Sequence, residues 1–262
     1  MKKILGLTAV IGTIGLALAC TTTVSGGGSD SGTGDTDSGT VVDSGTKPDT
    51  GKPPVDSSTS CYEEDKAGWY KHGEPKLNQN KATTQDLTDF FNACFKGGST
   101  QQSCEAYTGT KAAPLHTDVV NCVFPFYNPA LDQATFEALP ASVWTPAGES
   151  GIVLNMGTCR ALAVNAPAGC ALKYTQATEC LRGACDSCED DTGFGKCIDE
   201  AEAGGCKTIL PEAACDSAVT GGAAQADALC GKVADIDYQD DAKLLAAYLK
   251  IGNAFCGKTG DQ

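Results

Sequence analysis

The chain has 262 residues, with 33 acidic against 19 basic side chains, a formal charge of −14, fifteen cysteines and only two histidines. So acidic a sequence, with no clustered Lys/Arg stripe, repels phosphate backbones and is excluded as a nucleic-acid binder. No Gly-rich loop ending in Lys-Ser/Thr and no dinucleotide fingerprint after a strand occurs, so nucleotide use is not expected either, and no cofactor is implied.

Met1-Lys2-Lys3 precedes an uncharged apolar run from Ile4 to Ala19 that ends in small residues just before Cys20. This is the layout of a signal peptide (1–19). The run is shorter than the roughly 20 residues a permanent transmembrane helix needs. Ala17-Leu18-Ala19-Cys20 resembles the lipobox of bacterial lipoproteins, with Ala17 where leucine is commoner. The resemblance covers the first twenty residues. It implies cleavage before Cys20, acylation of the Cys20 thiol and a membrane partner engaged through lipid; Thr21 in the following position implies the outer membrane. Each buried acyl methylene contributes about 0.8 kcal/mol, so two or more chains would anchor the protein firmly. Cysteine parity agrees with this, because assigning Cys20 to lipid leaves an even number for disulfides. Loss of Lys2 and Lys3 would make the mature chain two units more negative.

From Thr21 to Ser60 the residues are Gly, Ser, Thr, Asp and Pro with a few valines, two lysines and no aromatics. Such a segment cannot bury enough surface to offset the entropy of ordering, so 20–60 is expected to be a disordered stalk. An ideal flexible chain of that length spans about 35 Å root-mean-square. Asp30, Asp35 and Asp37 recur among glycines, yet no window has the ligand spacing of a calcium loop.

A disulfide-rich domain is expected over 61–262. Thr84 to Gly97 carries Leu87, Phe90, Phe91, Cys94 and Phe95 at helical spacing behind a polar cap, and Asp240 to Cys256 carries Leu244, Leu245, Tyr248, Ile251 and Phe255. Shorter helices are predicted at Ser103–Tyr107, Gln133–Ala138, Gly157–Val164, Ala171–Arg182, Phe194–Ala203 and Ala223–Cys230. The β-branched runs Val119–Phe124 and Ile152–Asn155 allow at most a small β element. Cys188, Cys197, Cys206 and Cys215 recur every nine residues; a nine-residue step turns a helix by about 180°, so they cannot share one face. Glycines between them predict short helices folded back on one another. The expected fold is mainly α, an irregular bundle of short helices cross-linked by up to seven disulfides among Cys61, Cys94, Cys104, Cys122, Cys159, Cys170, Cys180, Cys185, Cys188, Cys197, Cys206, Cys215, Cys230 and Cys256. Spacing does not dictate the pairings.

Chemical constellations are sparse. Cys185-Asp186-Ser187-Cys188 has the spacing of a zinc knuckle or a redox dithiol, but neither histidine is nearby and the export signal favours structural disulfides. His116 with Asp118 could serve a hydrolase, and Gly148-Glu149-Ser150-Gly151 approaches a nucleophile elbow with its second glycine one residue early. Glu189, Asp190, Asp191, Asp199 and Glu200 could supply a carboxylate pair, although acids at helix starts have a simpler electrostatic role. Trp69 and Tyr70, with Trp144, could form a ligand-stacking face, with core packing as the plainer reading. Beyond the lipobox, the cysteine-rich body and its stalk resemble, in style, surface lipoproteins of Gram-negative bacteria. The resulting expectation is a lipid-anchored envelope protein with a non-enzymatic domain that binds a glycan, protein or envelope ligand or plays a structural part; an extracellular hydrolase or a thiol-disulfide protein is the alternative.

Overall fold

The computed structural model of the chain describes residues 60–69, 71–147, 151–188 and 191–258. The expected signal peptide, Cys20 and the expected stalk up to residue 59, together with Tyr70, Gly148 to Ser150, and Glu189 with Asp190, lie outside the described residues. Within them the fold is mainly helical, with two small two-stranded sheets and seven disulfides.

The chain enters as an irregular strap, residues 60–69 and 71–83, with one short 3-10 turn at Glu64–Lys66 and an isolated bridge from Gly73 to Pro140. Helix α1 (Thr84–Cys94) begins with a capping box: Thr83 Oγ1 accepts from the Asp86 amide and the Asp86 carboxylate accepts from the Thr83 amide. Leu87, Phe90, Phe91 and Cys94 line its buried face, as the helical spacing predicts. Helix α2 (Gln101–Thr108) has a second capping box, between Thr100 and Ser103. A two-residue hairpin, β1 (Gly109–Thr110) with β2 (Ala113–Pro114), leads to α3 (Thr117–Val123).

Helix α3 replaces the extended run anticipated at Val119–Phe124. Valine favours strands only modestly, and packing overrides that preference. Val119, Val120, Cys122 and Val123 are all buried, and Cys122 is bonded to Cys256. Helix α4 (Gln133–Ala138) is capped by Asp132. Strands β3 (Trp144–Ala147) and β4 (Gly151–Leu154) pair antiparallel, with Trp144 opposite Leu154.

Six helices follow: α5 (Met156–Ala163), α6 (Cys170–Ala184), α7 (Asp191–Ala203), α8 (Ala213–Gly221), α9 (Ala223–Cys230) and α10 (Asp241–Cys256). Helix α5 packs on α6 and α9, and α10 packs on α1 and α9. The largest apolar cluster lies where α1, α3, α5, α9 and α10 meet β3 and β4. Its centre is aromatic: Phe95 stacks on Trp144 at 4.7 Å between ring centroids, and Tyr248 lies 5.3 Å from Phe91. Gly252 permits the close crossing of α10 over α1, since a Cβ there would stand 3.1 Å from Leu87 Cδ1. A second cluster joins α6 and α7 and a third joins α5, α6 and α8.

The disulfides are Cys61–Cys188, Cys94–Cys104, Cys122–Cys256, Cys159–Cys230, Cys170–Cys215, Cys180–Cys206 and Cys185–Cys197. The four cysteines spaced nine apart do not bond to one another; each pairs back to α6, its C-terminal end, or the strap. Two bonds, Cys61–Cys188 and Cys122–Cys256, join residues 127 and 134 apart and so link the N-terminal part of the domain to its C-terminal part. The chain is therefore not stapled as two closed halves.

Candidate functional site

His72 and the disulfides of Cys61, Cys185, Cys188 and Cys197 lie where the strap runs along α6 and its end. Ser60 donates its hydroxyl to Glu200 on α7. The Glu63 amide donates to Ala184 O at 2.9 Å, and Tyr62 Oη accepts from the Gly205 amide at 2.9 Å. Further along, the Gly73 amide donates to Leu139 O at 2.7 Å, and Asn78, Gln79, Lys81 and Ala82 donate to the carbonyls closing α10. Backbone bonds from Glu63 to Ala82 fix the strap, whose own regular structure is one 3-10 turn.

His72, midway along the strap, is brought against α6. Its Nε2 lies 2.7 Å from Glu179 Oε1, and both side chains are almost wholly shielded, at 1% and 2% exposure. The imidazole sits among aromatic rings, 5.4 Å from Phe136 and 6.4 Å from Phe126. Its Nδ1 has no hydrogen-bond partner among the described residues. A base needs contact with both a proton donor and solvent-borne substrate; this imidazole has a carboxylate on one nitrogen and packed rings around it. Glu179 was missed in the sequence. Its signal was an acid on the apolar face of α6, between Tyr174, Ala177 and Leu181, all buried.

His116 stands elsewhere, exposed, in the left-handed conformation (φ 47°) just before α3. It stacks on Tyr107 at 4.2 Å, and Tyr107 stacks in turn on Phe90 at 5.3 Å. Burial, helped by the carboxylates of Asp86 and Asp89, pushes the Tyr107 phenol up to about 12. Asp118, proposed as the partner of His116, pairs instead with Lys81 at 2.9 Å. Thus the pair expected for a hydrolase does not assemble, and no hydrogen bond joins His116 to a nucleophile among the described residues.

Of the expected ligand-stacking aromatics, Trp69 is exposed at 42%. Trp144 is a correction: at 1% exposure it is the largest side chain at the centre of the core and cannot contact a ligand at the surface. The plainer expectation of core packing is the one met, because the β3–β4 hairpin points the indole onto Phe95 and Tyr248. Asp199, Glu200 and Glu202 share α7; burial, then Asp199, raises the Glu202 carboxyl above its ordinary range. Burial pulls the Arg182 guanidinium down from its usual value, and the group lies 4.6 Å over the Phe194 ring.

The redox dithiol reading of Cys185 and Cys188 is also corrected, because the two belong to different disulfides. Cys185 pairs with Cys197 and Cys188 with Cys61. A helix end places them: Cys185 caps α6 and the Cys188 amide donates back to Cys185 O at 3.2 Å. The two bonds nonetheless touch. The sulfurs of Cys61, Cys188 and Cys197 all lie within 4.8 Å of one another, a spacing that metal ligands share. Metal coordination takes thiolates, and disulfide sulfurs offer none. Cys61 and Cys188 are partly exposed while Cys185 and Cys197 are buried, so the cluster runs from surface to interior.

No helix among the described residues is long and apolar enough to cross a membrane. The chain matches no family model, and comparison with curated proteins and with solved structures found no similar protein.

Proposed function

We propose that the chain is a lipoprotein of the bacterial cell envelope, held by lipid on Cys20, whose stapled helical domain binds an envelope, glycan or protein ligand or serves as a structural head without catalysing a reaction. The observation that carries this reading is the cysteine inventory: fourteen of fifteen are consumed in seven disulfides. The remaining one, Cys20, follows Ala17-Leu18-Ala19. Disulfides in such number belong to an oxidising compartment, and a thiol protected by acylation escapes the exchange that a free one would enter. The composition of residues 21–60 suits a spacer between anchor and domain. The outer membrane, reasoned from Thr21, is the location we assign.

Replacing Cys20 with Ala tests it. The variant is expected to lose incorporation of a clickable palmitate analogue and to leave the membrane fraction of the producing bacterium. Retention of both label and membrane association by Cys20→Ala would overturn the anchor. Separating inner from outer membranes of the wild-type producer then tests the location.

A further inference from the structure

The juxtaposition of two disulfides at the strap's first residue carries an activity of its own. We infer that Cys61–Cys188 and Cys185–Cys197 form an exchange relay, in which a thiolate attacking the outer bond is passed inward to Cys185 and releases the strap from the end of α6. This goes beyond the proposed anchor and does not depend on it.

The chemistry is written in bonds. A dithiol reagent or partner presents a thiolate to Cys61 Sγ; the Cys61–Cys188 bond breaks and Cys188 leaves as thiolate. The second thiol of the dithiol resolves the mixed disulfide, so the dithiol is oxidised and Cys61 becomes a thiol. Cys188 now lies beside Cys197, whose sulfur is within 4.8 Å. Sulfurs so placed reach bonding contact through a change of cysteine rotamer. Cys188 attacks Cys197 Sγ, the Cys185–Cys197 bond breaks, and Cys185 leaves as thiolate. One disulfide is consumed overall, and the last step exchanges one thiolate for another with no net redox change.

Three observations direct the relay. Exposure of Cys61 and Cys188 gives the reagent entry, while the burial of Cys185 and Cys197 prevents direct attack there. Cys188 sits on the turn after α6, its amide bonded to Cys185 O at 3.2 Å, so its side chain can swing without unwinding the helix. Finally, the strap's other ties at this end are non-covalent, among them the Glu63 amide to Ala184 O, Ser187 Oγ to Cys61 O at 3.0 Å, Cys61 Sγ to Gly193 O at 3.4 Å, the Gly205 amide to Tyr62 Oη, Ser60 with Glu200, and the packing of Tyr62 and Ala67 against the α6–α7 cluster. Freeing Cys61 removes the covalent one.

The test uses the full mature chain, treated briefly with limiting dithiothreitol, trapped with an alkylating agent and cleaved before Asp186 so that Cys185 and Cys188 fall in separate peptides. The relay predicts loss of the Cys185–Cys197 cross-linked peptide, gain of a Cys188–Cys197 one, and alkylation at Cys61 and Cys185. Alkylation confined to Cys61 and Cys188 with Cys185–Cys197 intact would overturn it. So would scrambling that reaches Cys180–Cys206, which shares the same apolar cluster, since the exchange would then be unfolding and not a relay. A Cys61→Ser variant gives a second readout without any reductant: its single unpaired thiol should be labelled at both Cys188 and Cys185, and labelling of Cys188 alone contradicts the proposal.

Discussion

At the scale of single residues the two tryptophans separate what composition alone could not. Trp144 fills the centre of the core against Phe95 and Tyr248, and Trp69 stands in solvent on the strap. Trp144→Ala should therefore cost about 3–5 kcal/mol of stability through the cavity it leaves. Trp69→Ala should change stability by less than about 0.5 kcal/mol. Chemical denaturation with disulfides intact measures both, and a mild Trp144→Ala would contradict the packing described here. The sequence held no signal to distinguish them, because both lie in short segments without periodicity. His72 was equally opaque: its partner Glu179 is 107 residues away, and only the course of the strap brings them together. His116, by contrast, was correctly seen as one of two available imidazoles, but its stacking on Tyr107 depends on a hairpin too short to leave a pattern.

At the scale of elements, helix signals were the legible ones. The long apolar stripes of α1 and α10 face the core as predicted, with Phe95 and Leu245 partly buried, and Gln133–Ala138 and Ala223–Cys230 form helices with the expected bounds. Helix α8 was not anticipated, since Ala213–Gly221 is rich in small residues and buries only Cys215. The valines of α3 allowed a small β element in the sequence, and packing makes the segment helical. The capping box of α1 gives a quantitative check. The Thr83 hydroxyl, then its amide, donate to the Asp86 carboxylate and hold it below its ordinary value of 3.8. Thr83→Ala should lower stability by about 1 kcal/mol at neutral pH. A carboxylate depressed in the folded state stabilises above its unfolded value, and that contribution fades as pH falls through the native value. The deficit of Asp86→Asn should accordingly be present at neutral pH and shrink below about pH 4, read from denaturation midpoints across pH. A deficit unchanged in acid would show that the carboxylate's charge plays no part.

At the scale of the whole molecule the disulfides determine which parts can separate. Six of the seven bonds involve α6, α10, or helices packed on them, whereas spacing in the sequence carried no information about pairing. The even number of cysteines in 61–262 needs only a count, and it is matched by seven disulfides among the described residues. Cross-links restrict the unfolded chain more when they close longer loops. Removing Cys122–Cys256, separated by 134 residues, should cost about 5 kcal/mol, against about 3 kcal/mol for Cys94–Cys104, separated by 10. Paired Cys→Ala variants compared by thermal unfolding give the order, and a costlier short loop would contradict it. The most direct test of the central claim is the mass of the mature protein extracted from membranes, taken after alkylation with and without prior reduction. The account predicts a lipid adduct on Cys20 and no alkylation until reduction exposes fourteen thiols. An unmodified Cys20, or any thiol alkylated before reduction, would contradict it.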